Sequence, residues 1–218
     1  MIYCISDIHG CYDEFMALLD KIKFDPEQDT LYILGDAIDR GPQPLDCLTY
    51  IKKTKSIHLL MGNHEQMMLD FFDCKDSVWN RNGNETTLSQ FNGLRESEQD
   101  RILSYVRKRP YYKTVGIGEK RYFLSHAGLN PRLPFKEQSP YELVWSRREF
   151  YRRKALKRHI CVFGHTPTAN MHSGDEFGIW HDPVHQDKIN IDCGCVYGGK
   201  LAALRLDDGE VFYVEREI

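Results

Sequence analysis

A chain of 218 residues can build one sizeable core and is short for two, so a single domain over residues 1–218 is expected. Hydrophobic residues make up 41%, charged residues 28%, and the net charge is -3. That balance is globular, with no general pull toward nucleic acid or anionic membranes, and no stable nucleic-acid partner is expected. No apolar run reaches the length of a membrane span. The start, Met1-Ile2-Tyr3-Cys4-Ile5-Ser6-Asp7, lacks a basic leader, so a cytoplasmic protein is expected. The first half alternates strand and helix. Ile2–Ser6 reads as a buried strand, and Cys11–Ile22 as a helix with Phe15, Leu18, Leu19 and Ile22 on one face. Thr30–Leu34 is the next strand, Pro44–Lys53 the next helix, then strand Ile57–Leu60 and helix His64–Phe72. Trp79 to Asn92 is rich in Asn, Gly and Thr and reads as loop, whereas Ser97–Arg107 reads as a helix with Ser97 as N-cap. Six strands are expected later: Tyr111–Val115, Tyr122–Ser125, Ile160–Phe163, Lys188–Ile191, Leu201–Leu206 and Val211–Val214. The β-α-β-α-β order predicts an α/β fold with parallel strands, extended by mixed or antiparallel strands.

Five strands end in polar clusters: Asp7-Ile8-His9, Asp36-Ala37-Ile38-Asp39-Arg40, Gly62-Asn63-His64-Glu65, His126-Ala127-Gly128 and Gly164-His165-Thr166. All would converge on the sheet edge where α/β proteins place their sites. Asp, His and Asn are oxygen and nitrogen ligands suited to manganese, iron or zinc. Taken singly, Asp-x-His is a capped turn, Gly-Asn-His is a loop, and His126 is a satisfied core histidine. Their joint occurrence at strand ends points to a metal centre. The seven cysteines lack C-x-x-C spacing and read as reduced thiols, with Cys193 a packing residue. Of the remaining histidines, His58 is expected partly buried on its strand. His159, His172, His181 and His185 are expected on loops or at the surface, with cleft-lining by His181 and His185 the less favoured reading.

In this order the clusters resemble the phosphoprotein phosphatase branch of the calcineurin-like metallophosphoesterases. The likeness looks closest to the small bacterial and phage serine/threonine protein phosphatases. It runs from Ser6 to Asp192 and the following Tyr197-Gly198-Gly199-Lys200-Leu201. The resemblance implies a sandwich of two mixed β-sheets flanked by helices, and two divalent metal ions, with manganese preferred over iron or zinc. Asp7, His9 and Asp36 would hold one ion; Asp36, Asn63, His126 and His165 would hold the other. A metal-bound hydroxide would attack phosphorus directly. His64 would protonate the leaving oxygen, oriented by Asp39, which is expected to raise the imidazolium pKa. Arg40, and Arg147 from Trp145-Ser146-Arg147, would clamp phosphate oxygens. Most of the basic run from Arg147 to Arg158 reads as a solvated helix that can also rim the cleft.

Met61 departs from this pattern, because the branch carries a basic residue there. The symmetric dinucleoside tetraphosphate hydrolases, a sister branch, have an apolar residue at that point. His9-Gly10-Cys11-Tyr12-Asp13-Glu14 and Arg40-Gly41-Pro42 are also similar to theirs. Asp39, Thr166-Pro167 and the short chain favour the phosphatases. The preferred expectation is therefore hydrolysis of phosphomonoesters on phosphoserine or phosphothreonine proteins, with phosphotyrosine proteins or a small phosphorylated molecule also open. Dinucleoside tetraphosphate cleavage is the alternative, and a metal-binding scaffold without turnover is the least favoured reading.

Overall fold

The structure, a computed structural model, describes residues 1–75, 78–171 and 177–216. Strand β1 (Ile2–Ile5) leads to helix α1 (Tyr12–Lys21), β2 (Thr30–Ile33) to α2 (Pro44–Lys53), and β3 (Ile57–Leu59) to α3 (Asn63–Phe72). Helices α4 (Glu85–Asn92) and α5 (Glu96–Arg107) precede strands β4 (Tyr112–Ile117) and β5 (Lys120–Ser125). Short helices α6 (Pro140–Trp145) and α7 (Arg148–Arg152) lead to β6 (Ile160–Phe163), β7 (Trp180–His181) and β8 (Lys188–Asn190). Strands β9 (Lys200–Arg205) and β10 (Val211–Glu215) pair antiparallel. No helix among the described residues is long and apolar enough to cross a membrane.

The strands form two mixed five-stranded sheets, ordered β10-β9-β1-β2-β3 and β4-β5-β6-β8-β7. Side chains alternate across each strand, so each sheet has two apolar faces. Tyr3, Ile5, Leu31 and Ile33 face α1, α2 and α3, whereas Cys4 points the other way. Cys4 meets Tyr122, Leu124 and Val162 of the second sheet in the core between the sheets. The far face of the second sheet buries Phe123, Cys161 and Phe163 against Leu143 and Phe150. The fold is the α/β sandwich of two mixed sheets flanked by helices expected from the sequence.

Strands β1, β2 and β3 run parallel, with Ile5 opposite Ile33 and Ile33 opposite Leu59. Strands β5, β6 and β8 are likewise parallel. Asp7, Asp36 and Asn63 follow the carboxyl ends of the first three; His126, His165 and Asp192 follow those of the second three.

Several local expectations need correction. The stretch from 79 to 92 is not a loop but a 3-10 turn (Trp79–Arg81) and α4. Its composition is poor in helix formers, so burial of Trp79, Thr87 and Phe91 overrides propensity. Gln90 ties α4 to the start of α2, with Nε2 donating to Pro42 O at 2.8 Å and Oε1 accepting from Leu45 N at 3.3 Å. The N-cap of α5 is Arg95, not Ser97, because the Glu98 carboxylate accepts from the Arg95 N–H at 3.1 Å and from its guanidinium at 3.0 Å. The basic run yields only the five-residue α7. His58 is exposed on β3, tilted against Tyr32 at 5.3 Å; His172 lies outside the described residues.

Lys188, expected only as a strand residue, is 1% exposed. It contacts Asp182 Oδ2 at 2.5 Å, Asp187, and Arg153 O at 2.9 Å. Removing the cation strands two buried carboxylates. Lys188→Met is expected to cost about 3–5 kcal/mol in urea unfolding; a cost under ~1 kcal/mol would contradict the buried ionic assignment.

Candidate metal centre

The sequence clusters converge on Asp36. Its Oδ2 lies 3.5 Å from His9 Nε2, 3.4 Å from His126 Nε2 and 3.9 Å from His64 Nε2. Asn63 Oδ1 is 2.7 Å from His126 Nε2 and 2.9 Å from His165 Nδ1. Asp7 joins through Oδ1, 4.0 Å from His9 Nε2, while its Oδ2 accepts from His165 N at 3.0 Å and from Ser6 Oγ. Two compact donor groups share Asp36, one with His9 and His64, the other with His126 and His165, their atoms within 4.8 Å of one another. The first group takes in His64, expected as an acid, alongside His9 and Asp36.

Backbone conformation at the strand ends aims these side chains. Asp7, His9, Asp36, Asp39, Arg40 and His165 all have left-handed φ between 47° and 72°. Such strain costs about 1–3 kcal/mol per residue and persists only where surroundings fix it. Here the loops lock one another: His9 N donates to Asp36 O at 2.9 Å and Gly10 N to Ala37 O at 3.0 Å. Glu65, fully buried, accepts from Asp36 N, Ala37 N and Gly62 N at 2.8–3.0 Å. Gly62 lets the chain pass over the Asp36 carboxylate, where a methyl group would overlap Oδ1. Gly164 does the same beside Asp7 and Ser6.

Burial sets the protonation states. It pushes the pKa of His9, His64, His126 and His165 down, with neighbouring cationic or imidazole groups adding to the effect. It pushes Asp36 well above the carboxylate range, reinforced by the Asp7 charge. His9 Nδ1 pairs with Ile38 O at 2.9 Å and His126 Nδ1 with Leu34 O at 2.8 Å, so each neutral ring donates there and turns an Nε2 lone pair inward. The His126 Nε2 lone pair then faces another acceptor, Asn63 Oδ1. Two acceptors at this distance repel unless a cation lies between them, so the donor set fits divalent metal ions. His165 turns its Nδ1 to the same point, 3.1 Å from His126 Nε2 and 2.9 Å from Asn63 Oδ1.

His64 Nδ1 lies 2.6 Å from Asp39 Oδ2, which also accepts from Trp79 Nε1 at 2.6 Å. The expected rise in the His64 pKa is reversed: burial lowers it, and the nearby Arg40 and His126 add to the effect. Burial also pushes the Asp39 carboxyl up to about 7. His64 Nε2 is buried with no hydrogen-bond partner.

A cleft of about 480 Å³ opens over the donors, lined among others by Arg40, His64, Arg147, His165, Asp192 and Tyr197. Arg40 Nη1 is 2.5 Å from His9 Nε2, and Arg147 Nη1 donates to Thr166 Oγ1 at 3.1 Å. His181 and His185 are not among the lining residues. Met61 is 1% exposed, packed in the helix-side core, with its N–H donated to Pro110 O at 2.8 Å. It offers the cleft no cation. Glu65, Trp79 and Thr87 carry no expected role in the sequence, although Glu65 belongs to the Gly62-Asn63-His64-Glu65 cluster. Thr87 Oγ1 accepts from Asp39 N at 2.9 Å, from a helix read as loop.

A family model described as calcineurin-like phosphoesterase matches residues 1–206. A symmetrical bis(5'-nucleosyl)-tetraphosphatase of Salmonella arizonae is 37% identical over 131 residues, 60% of this chain and 44% of that protein. The namesake from an Escherichia coli strain is 37% identical over 135 residues, 62% of this chain and 45% of that protein. The matched region thus spans less than half the length of these relatives. A solved structure assigned as a diadenosine tetraphosphatase superposes with TM-score 0.76 at 21% identity, over 99% of this chain and 93% of that one. A protein serine/threonine phosphatase from Saccharomyces cerevisiae superposes with TM-score 0.65 at 15% identity, over 100% and 79%. At these identities the structures bear on fold alone. The sequence relatives overturn the preference for phosphoprotein phosphomonoesters. The physical reason lies in Met61: the basic residue of the protein-phosphatase pattern is replaced by a side chain that belongs to the core.

Glu65→Gln replaces one acceptor oxygen with an amide that faces backbone N–H donors. It is expected to cost about 1–3 kcal/mol in denaturant unfolding; an unchanged midpoint would contradict the pinning role.

Proposed function

The chain belongs to the calcineurin-like phosphoesterases, and from that premise we propose that it hydrolyses symmetrical dinucleoside tetraphosphates to two nucleoside diphosphates. The observation that carries this is the 37% identity to symmetrical bis(5'-nucleosyl)-tetraphosphatases, and the buried, apolar Met61 agrees with it. Asp7, His9 and Asp36 would hold one divalent cation, and Asp36, Asn63, His126 and His165 the second, with manganese the proposed metal. Two bound cations polarise phosphoryl oxygens and lower the pKa of water.

The protein's own groups supply the rest. Arg40 and Arg147 line one cleft and can each offer a fork of N–H donors to a phosphate chain. His64 points its unpartnered Nε2 beside Asp36 while Asp39 and Trp79 fix the ring from behind. From that position it would deliver a proton to the departing diphosphate oxygen, with its proton affinity shared with Asp39 across Nδ1. The hydrogen bond to Asp39 fixes the ring with Nδ1 toward the carboxyl group and Nε2 on the opposite side.

Incubation with diadenosine tetraphosphate and manganese is expected to yield ADP alone. Release of AMP with ATP, or faster turnover of a phosphopeptide, would contradict the reading. His64→Asn is expected to lower kcat by ~100-fold or more while metal content stays at the wild-type level. A loss of metal in that variant would make His64 a ligand instead, as its 3.9 Å approach to Asp36 Oδ2 allows.

A further inference from the structure

The row of donors has two ends, and each carries an arginine and an exposed aromatic side chain. At the His9 end, Arg40 touches the His9 ring, and its Cζ stands 5.5 Å from the centroid of the Tyr197 ring. Tyr197 is 59% exposed and lines the cleft. At the opposite end, the Trp145 ring meets His165 edge to face at 5.7 Å. Tyr141 stacks on Trp145 at 6.3 Å with 26° between the planes, and is 68% exposed. Arg147, two residues beyond Trp145, lines the cleft with it. Both residues also border a second cleft, of about 590 Å³, that includes Tyr141. Asp36 Oδ2 sits midway, 3.5 Å from His9 and 3.4 Å from His126.

The order of groups is the same from either end: aromatic and arginine, donor row, arginine and aromatic. A dinucleoside tetraphosphate has the same order: base, phosphates, scissile anhydride, phosphates, base. We infer that Tyr197 and the Tyr141–Trp145 pair are platforms on which the two nucleobases stack. Arg40 and Arg147 take the phosphates inward of each base, and the central anhydride lies over Asp36. The inference rests on the dinucleotide reading above. Stacking uses the π-face that every base has, so these platforms bind a base without selecting which one.

The test compares KM for diadenosine tetraphosphate with the inhibition constant of pyrophosphate, which has no base. In Tyr197→Leu and in Tyr141→Leu, KM is expected to rise roughly tenfold relative to that inhibition constant, with kcat less affected. Tyr197→Phe keeps the ring and is expected to restore the wild-type ratio. An unchanged ratio in both leucine variants, with wild-type protein still cleaving the dinucleotide to ADP, overturns the platforms and leaves the proposed activity standing. A Tyr197→Phe variant as impaired as Tyr197→Leu also overturns them, since the hydroxyl and not the ring would then matter. Wild-type protein that does not cleave the dinucleotide removes both.

Discussion

The Asp36 carboxylate is the fixed point of the site. It is buried, its Oδ1 accepts the His64 N–H at 3.0 Å, and its Oδ2 faces three imidazoles. Burying such a group in apolar surroundings is costly unless it is paired or binds a metal. The surroundings are built to hold it there all the same. Glu65 grips the backbone N–H groups of Asp36 and Ala37 from below, and Gly62 clears the space above. The β1 loop is bonded to the β2 loop at two successive positions. Left-handed φ values concentrate at the same strand ends. Strain and desolvation thus gather around the donors in one place, and the first sheet that carries these loops is packed by a core on either side.

The cations of the cleft are few and come from outside this rigid centre. Arg40 follows a left-handed turn after β2, and Arg147 sits between two short helices. Neither is fixed by an ion pair to a carboxylate among those described, so both guanidinium groups can turn toward phosphate. Met61 stands on the other side of this division, inside the helix-side core.

Much of the centre was legible in the sequence because its donors sit next to strand ends, where a short apolar run stops at a polar cluster. Asp7, Asp36, Asn63, His126 and His165 are all of this type, and all are brought together. What escaped was held by tertiary contacts without local signal. Helix α4 has the composition of a loop, and burial of Thr87 and Phe91 makes it a helix. Trp79 reaches Asp39 across forty residues. The His64 pKa was misjudged because the carboxylate partner is visible in the motif but the burial of the ring is not. The substrate preference failed for a related reason: Asp39 and Thr166-Pro167 weighed toward phosphatases, yet Asp39 pairs with His64 and Thr166 with Arg147, contacts that do not by themselves separate the two substrate classes.

The central claim is that one carboxylate, Asp36, organises a site for two cations. Equilibrium dialysis against manganese, followed by elemental analysis, tests it most directly. Two manganese ions per chain are predicted for the wild-type protein, and loss of affinity at both sites for folded Asp36→Asn. A wild-type stoichiometry of one, or an Asp36→Asn variant that still binds one ion with wild-type affinity, would contradict it.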